Sequence, residues 1–151
     1  LEQVETPPEV LHLHDWHTGL MPFLRAAPDA KPGLANCRMV YTIHNLAHQG
    51  SFGPDRWPLI GVYDGRGGLN LMEQGIYCAD VVTTVSPTYA REILGPEYGM
   101  GLEHALRARH GRLIGILNGV DSKEWDPRTD ALIPQTYDAR STAMPSNGDA
   151  M

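Results

Sequence analysis

Residues 9–20 have the sequence Glu9-Val10-Leu11-His12-Leu13-His14-Asp15-Trp16-His17-Thr18-Gly19-Leu20. Its first part is a short apolar run whose titratable residues gather at the C-terminal end, which is typical of a buried strand that ends at a functional site. Residues 18–27 are predicted to form a helix, because Pro22 is tolerated in a first turn whose amides lack partners. Asp15 and His17 are therefore expected on a strand-to-helix turn, where open parallel sheets bind their ligands.

The same alternation of strand and helix continues along the chain. Strands are predicted at residues 10–14, 38–43, 81–85 and 113–117, and further helices at 69–78, 86–94 and 102–109. Connections of helix length favour parallel strands joined by right-handed crossovers. The pattern predicts an α/β fold with a mostly parallel sheet in residues 1–121, followed by a linker or tail with little ordered structure in residues 122–151.

Composition excludes several classes of function. The 151 residues are 42% hydrophobic, enough for one packed core, and carry a formal net charge of −6. A nucleic-acid surface would need clustered Lys and Arg, which the sequence does not contain. No apolar run in the sequence approaches the roughly 18 residues of a membrane span. Two cysteines without a Cys-x-x-Cys pair favour a reducing compartment.

Polar residues follow several predicted strands. Asp15 and His17 follow the first, His44 and Asn45 the second, and Asn118 the fourth. Packing at a strand end does not require Asp15 and His17, whereas His44-Asn45 taken alone is equally well explained as a turn, and Asn118-Gly119 is a common turn sequence. Because carboxyl ends of parallel strands meet at one edge, their combination favours a polar pocket for a ligand rich in hydroxyl groups.

Two kinds of cofactor site are suggested by short motifs. His12 and His14 share one face of a strand, as zinc ligands do, but Trp16 stands where the metallo-hydrolase signature requires aspartate. We interpret these two histidines as core residues, and a metal-dependent hydrolase remains an alternative that bound zinc would support. Residues 65–70 approach Gly-x-Gly-x-x-Gly, but Asn70 replaces the last glycine and no strand precedes them. No cofactor or metal is expected.

Four long motifs resemble, in order, segments of glycogen and starch synthases, which use ADP-glucose to extend α-1,4-glucan chains. They are Leu13-His14-Asp15-Trp16-His17-Thr18-Gly19-Leu20, Tyr41-Thr42-Ile43-His44-Asn45-Leu46-Ala47-His48-Gln49-Gly50, Val82-Thr83-Thr84-Val85-Ser86-Pro87-Thr88-Tyr89-Ala90-Arg91-Glu92 and Gly115-Ile116-Leu117-Asn118-Gly119-Val120-Asp121.

The resemblance implies a retaining glycosyltransferase of the GT-B type, with two Rossmann-like domains facing across a cleft and no metal. This chain matches the later part of the N-terminal, acceptor-side domain. The positions that match the family's site residues are His44, Asp15 and His17 as catalytic residues, and Asn45 and Asn118 as substrate-binding residues. The implied partners are ADP-glucose and an α-1,4-glucan.

The sequence also departs from the family pattern. The family's Lys-Thr-Gly-Gly-Leu loop and its C-terminal nucleotide domain have no counterpart here, so we expect a fragment that is inactive alone. Glu73-Gln74-Gly75 stands where the family commonly has Lys-Ala-Gly. Residues 132–139 resemble plastid starch synthases. We expect a plastid protein if the source is eukaryotic and a cytoplasmic protein if it is bacterial. A non-catalytic glucan-binding module is the alternative function.

Overall fold

The computed structural model describes residues 6–28, 30, 32–61 and 67–141. Its contacts divide the chain into two compact units, Leu1–Leu117 and Asn118–Met151. Each unit is described separately below.

The first unit alternates strands with short helices. In chain order the elements are β1 (Val10–His14), α1 (Asp15–Thr18), α2 (Leu20–Arg25), α3 (Pro32–Ala35), β2 (Arg38–Ile43), β3 (Ser51–Phe52), a 3₁₀ helix (Pro54–Ile60), β4 (Leu69–Asn70), α4 (Leu71–Cys78), β5 (Val81–Thr84), α5 (Pro87–Glu92), α6 (Glu103–Ala108), a second 3₁₀ helix (His110–Arg112) and β6 (Leu113–Gly115).

Four of these strands form the predicted parallel sheet. Their order is β1-β2-β5-β6 and all three pairings are parallel, with His14 opposite Thr42 and Ile43 opposite Thr84. Successive strands always add on the same side, so right-handed crossovers place their helices on one face. The expected α/β class with a parallel sheet is confirmed.

The hydrophobic core lies on that face. Leu13, Tyr41, Ile43 and Val82 alternate inward along their strands and belong to one buried cluster. This cluster continues into α4 and α6 through Met72, Ile76, Ala105 and Leu106. On β1 the side chains of His12 and His14, which alternate with the inward residues, point to the other face and are exposed. The interpretation of these histidines as core residues is therefore wrong.

Other differences from the predicted elements lie at their ends. The helix predicted at 18–27 is the shorter α2, and the predicted turn that carries Asp15 and His17 is itself one helical turn, α1. The helix predicted at 69–78 begins only at Leu71, because Leu69–Asn70 pairs with Ser51–Phe52 as a two-stranded ladder. The third and fourth strands of the parallel sheet end earlier than predicted, at Thr84 and Gly115.

One carboxylate joins a helix to the amino end of the sheet. Asp80, just before β5, accepts the backbone N–H of Met39 at 2.7 Å and pairs with the Arg25 guanidinium of α2. Arg25 also donates to the carbonyls of Cys37 at 3.0 Å and Cys78 at 2.8 Å. Burial alone would raise the pKa of Asp80, but the Met39 N–H and the Arg25 charge outweigh it, so the pKa is lowered.

The second unit consists of turns held by local hydrogen bonds in its described part, 118–141. Asp121 accepts the N–H groups of Lys123 and Glu124, and Asp126 pairs with Arg128 at 2.7 Å. The role of this unit as an interdomain linker stays a prediction. In the part of the chain that the structure describes, no helix is both long and apolar enough to cross a membrane.

Candidate active site

The carboxyl edge of the sheet is organised by Asp15. Asp15 is the first residue of α1, and its φ of 53° lies in the left-handed region, which aspartate adopts more readily than most residues. Its Oδ1 accepts the backbone N–H of His44 at 2.8 Å and that of Asn45 at 3.3 Å. The structure therefore brings together three of the predicted site residues, and Asp15 fixes the backbone on which the other two stand.

The side chain of His44 contacts a histidine from the neighbouring strand. His44 Nε2 lies 3.0 Å from Nδ1 of His14, and the ring of His14 lies 4.3 Å from that of His12 between centroids. His12 Nε2 is in turn 2.6 Å from Oγ1 of Thr42, which is bonded to Thr83 Oγ1 at 2.6 Å. Three imidazoles thus form a row across the ends of β1 and β2.

The surroundings of His14 disfavour its charged form. Burial, followed by the neighbouring His12 and His44, lowers the pKa of His14, and the smaller opposite effect of the Asp15 carboxylate does not cancel it. His14 therefore favours its neutral imidazole, which can donate from one nitrogen and accept at the other.

His17 belongs to an adjacent aromatic group. Its ring stacks on Trp16 with centroids 4.1 Å apart, and Trp16 lies 6.5 Å from Phe52. Gly50, at a φ of 63°, lets the chain pass against Trp16, since a Cβ there would lie 2.4 Å from the indole. His17 therefore contacts Trp16, which in turn packs against Gly50 of the segment that follows His44.

That following segment is tied to the start of α4. The carbonyls of Gln49 and Gly50 accept the N–H groups of Met72 and Leu71 at 3.0 and 3.1 Å. Asn70 donates to the Gln49 side chain at 2.6 Å, and its own Oδ1 accepts the Glu73 N–H as an N-cap. The site residues thus stand on backbone that is hydrogen-bonded at both ends.

The remaining predicted residue, Asn118, is the first residue of the second unit, and its part in the site stays a prediction.

Sequence reasoning set His14 aside, although a signal for it was present. Leu11 and Leu13 fill the inward positions of β1, so period-two alternation places His12 and His14 on the opposite face. Among the described residues, no group of three or more His, Cys, Asp or Glu side chains has the geometry to hold a metal ion.

A family model described as the starch synthase catalytic domain matches residues 1–108. The chain belongs to this family of starch synthase catalytic domains. The family model covers the elements that carry Asp15, His17, His44 and Asn45. The resemblance noted from the four sequence motifs is thereby confirmed.

Relatives and a solved structure agree with this family. A glycogen synthase of Rhodopseudomonas palustris (strain HaA2) is 50% identical over 87% of this chain and 28% of its own length. One from Myxococcus xanthus (strain DK1622) is 47% identical over 86% of this chain and 29% of its own length. The catalytic domain of starch synthase IV from Arabidopsis thaliana, bound to ADP and acarbose, has a TM-score of 0.68 at 32% identity and is matched over 89% of this chain and 30% of that one.

The chain thus spans under a third of the length of the curated synthases it matches. Its sheet corresponds to a part of a starch synthase catalytic domain, which has the GT-B architecture.

Proposed function

We propose that this chain forms the acceptor-side part of a glucosyltransferase. The reaction transfers glucose from ADP-glucose to the 4-hydroxyl at the non-reducing end of an α-1,4-glucan, with retention of configuration. The site residues are His44, Asp15 and His17, with Asn45 and Asn118 binding substrate, and no cofactor takes part. We place the protein in the cytoplasm if its source is bacterial and in the plastid if it is eukaryotic.

One observation carries this proposal. In a chain of the synthase family, the Asp15 carboxylate holds the backbone of His44 and Asn45 at the carboxyl edge of two parallel strands. Ligands of open α/β sheets bind at this edge. Glycosyl transfer of this type depends on orienting the acceptor and stabilising the leaving diphosphate, so polar side chains on fixed backbone suit it.

The test replaces the matching 140-residue segment of the Rhodopseudomonas palustris glycogen synthase with the corresponding part of this chain. Glucose incorporation from ADP-glucose into glycogen is then measured against the parent enzyme and a no-enzyme control. We expect the chimera to melt cooperatively and to synthesise glucan. A chimera that folds but incorporates no glucose would refute the proposal.

The isolated chain provides a second measurement. Because the proposal assigns the donor diphosphate to residues outside this sequence, we expect the 151-residue chain alone to give no incorporation above the no-enzyme background. Glucan co-sedimentation of the same preparation distinguishes the alternative: a chain that binds glucan tightly but makes an inactive chimera is a binding module. Turnover by the chain alone contradicts the division of roles proposed here.

A further inference from the structure

We propose that His14 is a positioning residue for His44, holding its imidazole in one orientation and one tautomer through the Nδ1 to Nε2 hydrogen bond. The inference rests on the proposed function, because His44 is the group assigned there to the sugar site. It gives a role to a side chain that the sequence analysis interpreted as a core residue.

His14 has fixed neighbours on both its backbone and its ring side. His14 is the last residue of β1. Its backbone N–H donates to Oγ1 of Thr18 at 2.8 Å, and the Thr18 hydroxyl donates to the His14 carbonyl at 2.9 Å. On its other side the ring of His12 is anchored to Thr42 at 2.6 Å. His44 follows the last residue of β2, and its side chain is exposed, as is that of His14.

Two contacts together define the placement of His44. Asp15 Oδ1 holds its backbone N–H at 2.8 Å, and His14 Nδ1 holds its Nε2 at 3.0 Å. A backbone contact alone leaves the side-chain torsions free, whereas a second contact at the tip of the ring removes that freedom. Orientation by such fixed neighbours is what lets a polar group meet a substrate without reorganisation.

The chemistry of the pair adds a constraint on protons. A hydrogen bond between two imidazoles needs one nitrogen with a proton and one without. If His14 donates, the proton of neutral His44 lies on Nδ1, which can then donate to a sugar hydroxyl. When both rings take up a second proton, both facing nitrogens become donors and the bond is lost.

Three other titratable groups are relevant to a pH profile. His12 faces His14 from the same strand, His44 from the end of β2, and Asp15 from the start of α1. Burial and the two imidazoles oppose the charging of His14, and one carboxylate favours it. Loss of the bond is therefore expected at acidic pH, where a second proton overcomes the repulsion of the neighbouring rings.

The first test uses histidine labelled with ¹⁵N in the 151-residue chain. Imidazole nitrogen shifts report the tautomer of His44 in the unsubstituted protein, in His14→Phe and in His14→Asn. Phenylalanine keeps a ring but removes Nδ1, whereas asparagine places an amide near the position of Nδ1. We expect His44 to show one dominant tautomer in the unsubstituted protein and a mixture of both tautomers in His14→Phe. In His14→Asn the dominant tautomer of His44 should return. The same tautomer ratio in all three proteins would overturn the inference.

The second test measures kcat and KM in the active chimera. We expect His14→Phe to lower kcat about 10-fold with little change in KM, and His14→Asn to recover most of it. The acid limb of the kcat profile should also move in His14→Phe. His104→Phe, an exposed histidine bonded to Glu73, serves as the matched control and should keep normal kinetics.

The double variant His14→Phe/His44→Ala separates positioning from an independent effect. If His14 acts through His44, the double variant should be no slower than His44→Ala alone. If His14→Phe lowers kcat by the same factor in the His44→Ala background as in the unsubstituted chimera, the inference is contradicted. If His44→Ala itself keeps normal kcat, the proposed role of His44 fails and the catalytic role of His14 fails with it, whereas the NMR result still reports the hydrogen bond on its own.

Discussion

At the scale of single residues, Asp15 combines two unusual properties. It adopts a left-handed φ of 53° at the junction of β1 and α1, and one of its carboxylate oxygens serves two backbone N–H groups of the next strand end. Strained backbone is retained where the surrounding contacts require it. Here the strain directs the carboxylate toward residues 44 and 45, which links a local conformation to the geometry of the site.

Replacing Asp15 tests that link. Asp15→Ala leaves two N–H groups without their acceptor and puts alanine at a positive φ, so we expect a loss of about 1–3 kcal/mol in unfolding free energy. Asp15→Asn keeps an acceptor oxygen and tolerates the left-handed region, and should lose clearly less. Urea unfolding measures both. Equal losses in the two variants would show that the oxygen is not what holds residues 44 and 45.

A second residue-scale prediction concerns Gly75 in α4. A Cβ there would lie 2.6 Å from Cζ of the buried Tyr41 ring. Helix propensity favours alanine by about 1 kcal/mol, but the overlap with an immobile ring should outweigh it, giving a net loss of about 1–3 kcal/mol for Gly75→Ala. Thermal unfolding checks this. Gly111→Ala, where the new Cβ meets nothing within 4 Å, should change stability little.

At the scale of elements, sequence patterns predicted what depends on local alternation. Strands β1 and β2 have their predicted bounds, and the helix predicted at 86–94 is present as α5, with Ser86 accepting two N–H groups as its N-cap. The break between α1 and α2 and the ladder of β3 with β4 had no comparable signal. The ladder arises from a contact distant in sequence, the backbone pairing of Phe52 with Leu69.

The candidate site was predictable to a similar extent. Parallel pairing of β1 with β2 was enough to expect Asp15 near His44, because both follow strand ends. The bond from His14 to His44 depends on register, which places His14 opposite Thr42 and so beside the residues that follow β2. No pattern within either strand encodes that register. Alternation alone did encode the outward direction of His14.

The Asp80 connection between α2 and the sheet gives an element-scale prediction about pH. Its pKa is lowered in the folded protein, so its contribution to stability is present above the unfolded value, about pH 4, and is lost as pH falls through the folded value. We expect the unfolding free energy of the unsubstituted protein to fall more steeply below about pH 4 than that of Asp80→Asn. Urea midpoints across this range measure the slopes.

Asp55 provides the control for that experiment. Its carboxylate pairs with Arg56 at 3.2 Å, and both side chains are more than half exposed. Exposed pairs of this kind contribute little to stability, so Asp55→Asn should leave the acid slope unchanged. If Asp55→Asn and Asp80→Asn flatten the slope equally, the partly buried Asp80 is not its source.

At the scale of the whole molecule, the strand order β1-β2-β5-β6 separates the residues that form the core from those that form the site. Helices on one face supply the core, and the carboxyl edge of the same sheet carries the row of His12, His14 and His44. The core residues and the site residues alternate along β1, so stability and function use different faces of one strand. Substitutions of outward residues should therefore affect activity more than folding.

His44 provides the most direct test of this separation, in the active chimera. If its imidazole binds the glucosyl unit more strongly in the transition state than in the ground state, His44→Ala should lower kcat more than it raises KM. Loss of one such contact is of order 2–4 kcal/mol, or roughly 10²–10³ in rate. Because the side chain is exposed and outside the core, the melting temperature should stay nearly unchanged. Steady-state kinetics and thermal unfolding on one preparation separate the cases: a destabilised variant with normal kcat would mean that His44 supports the fold and takes no part in transfer.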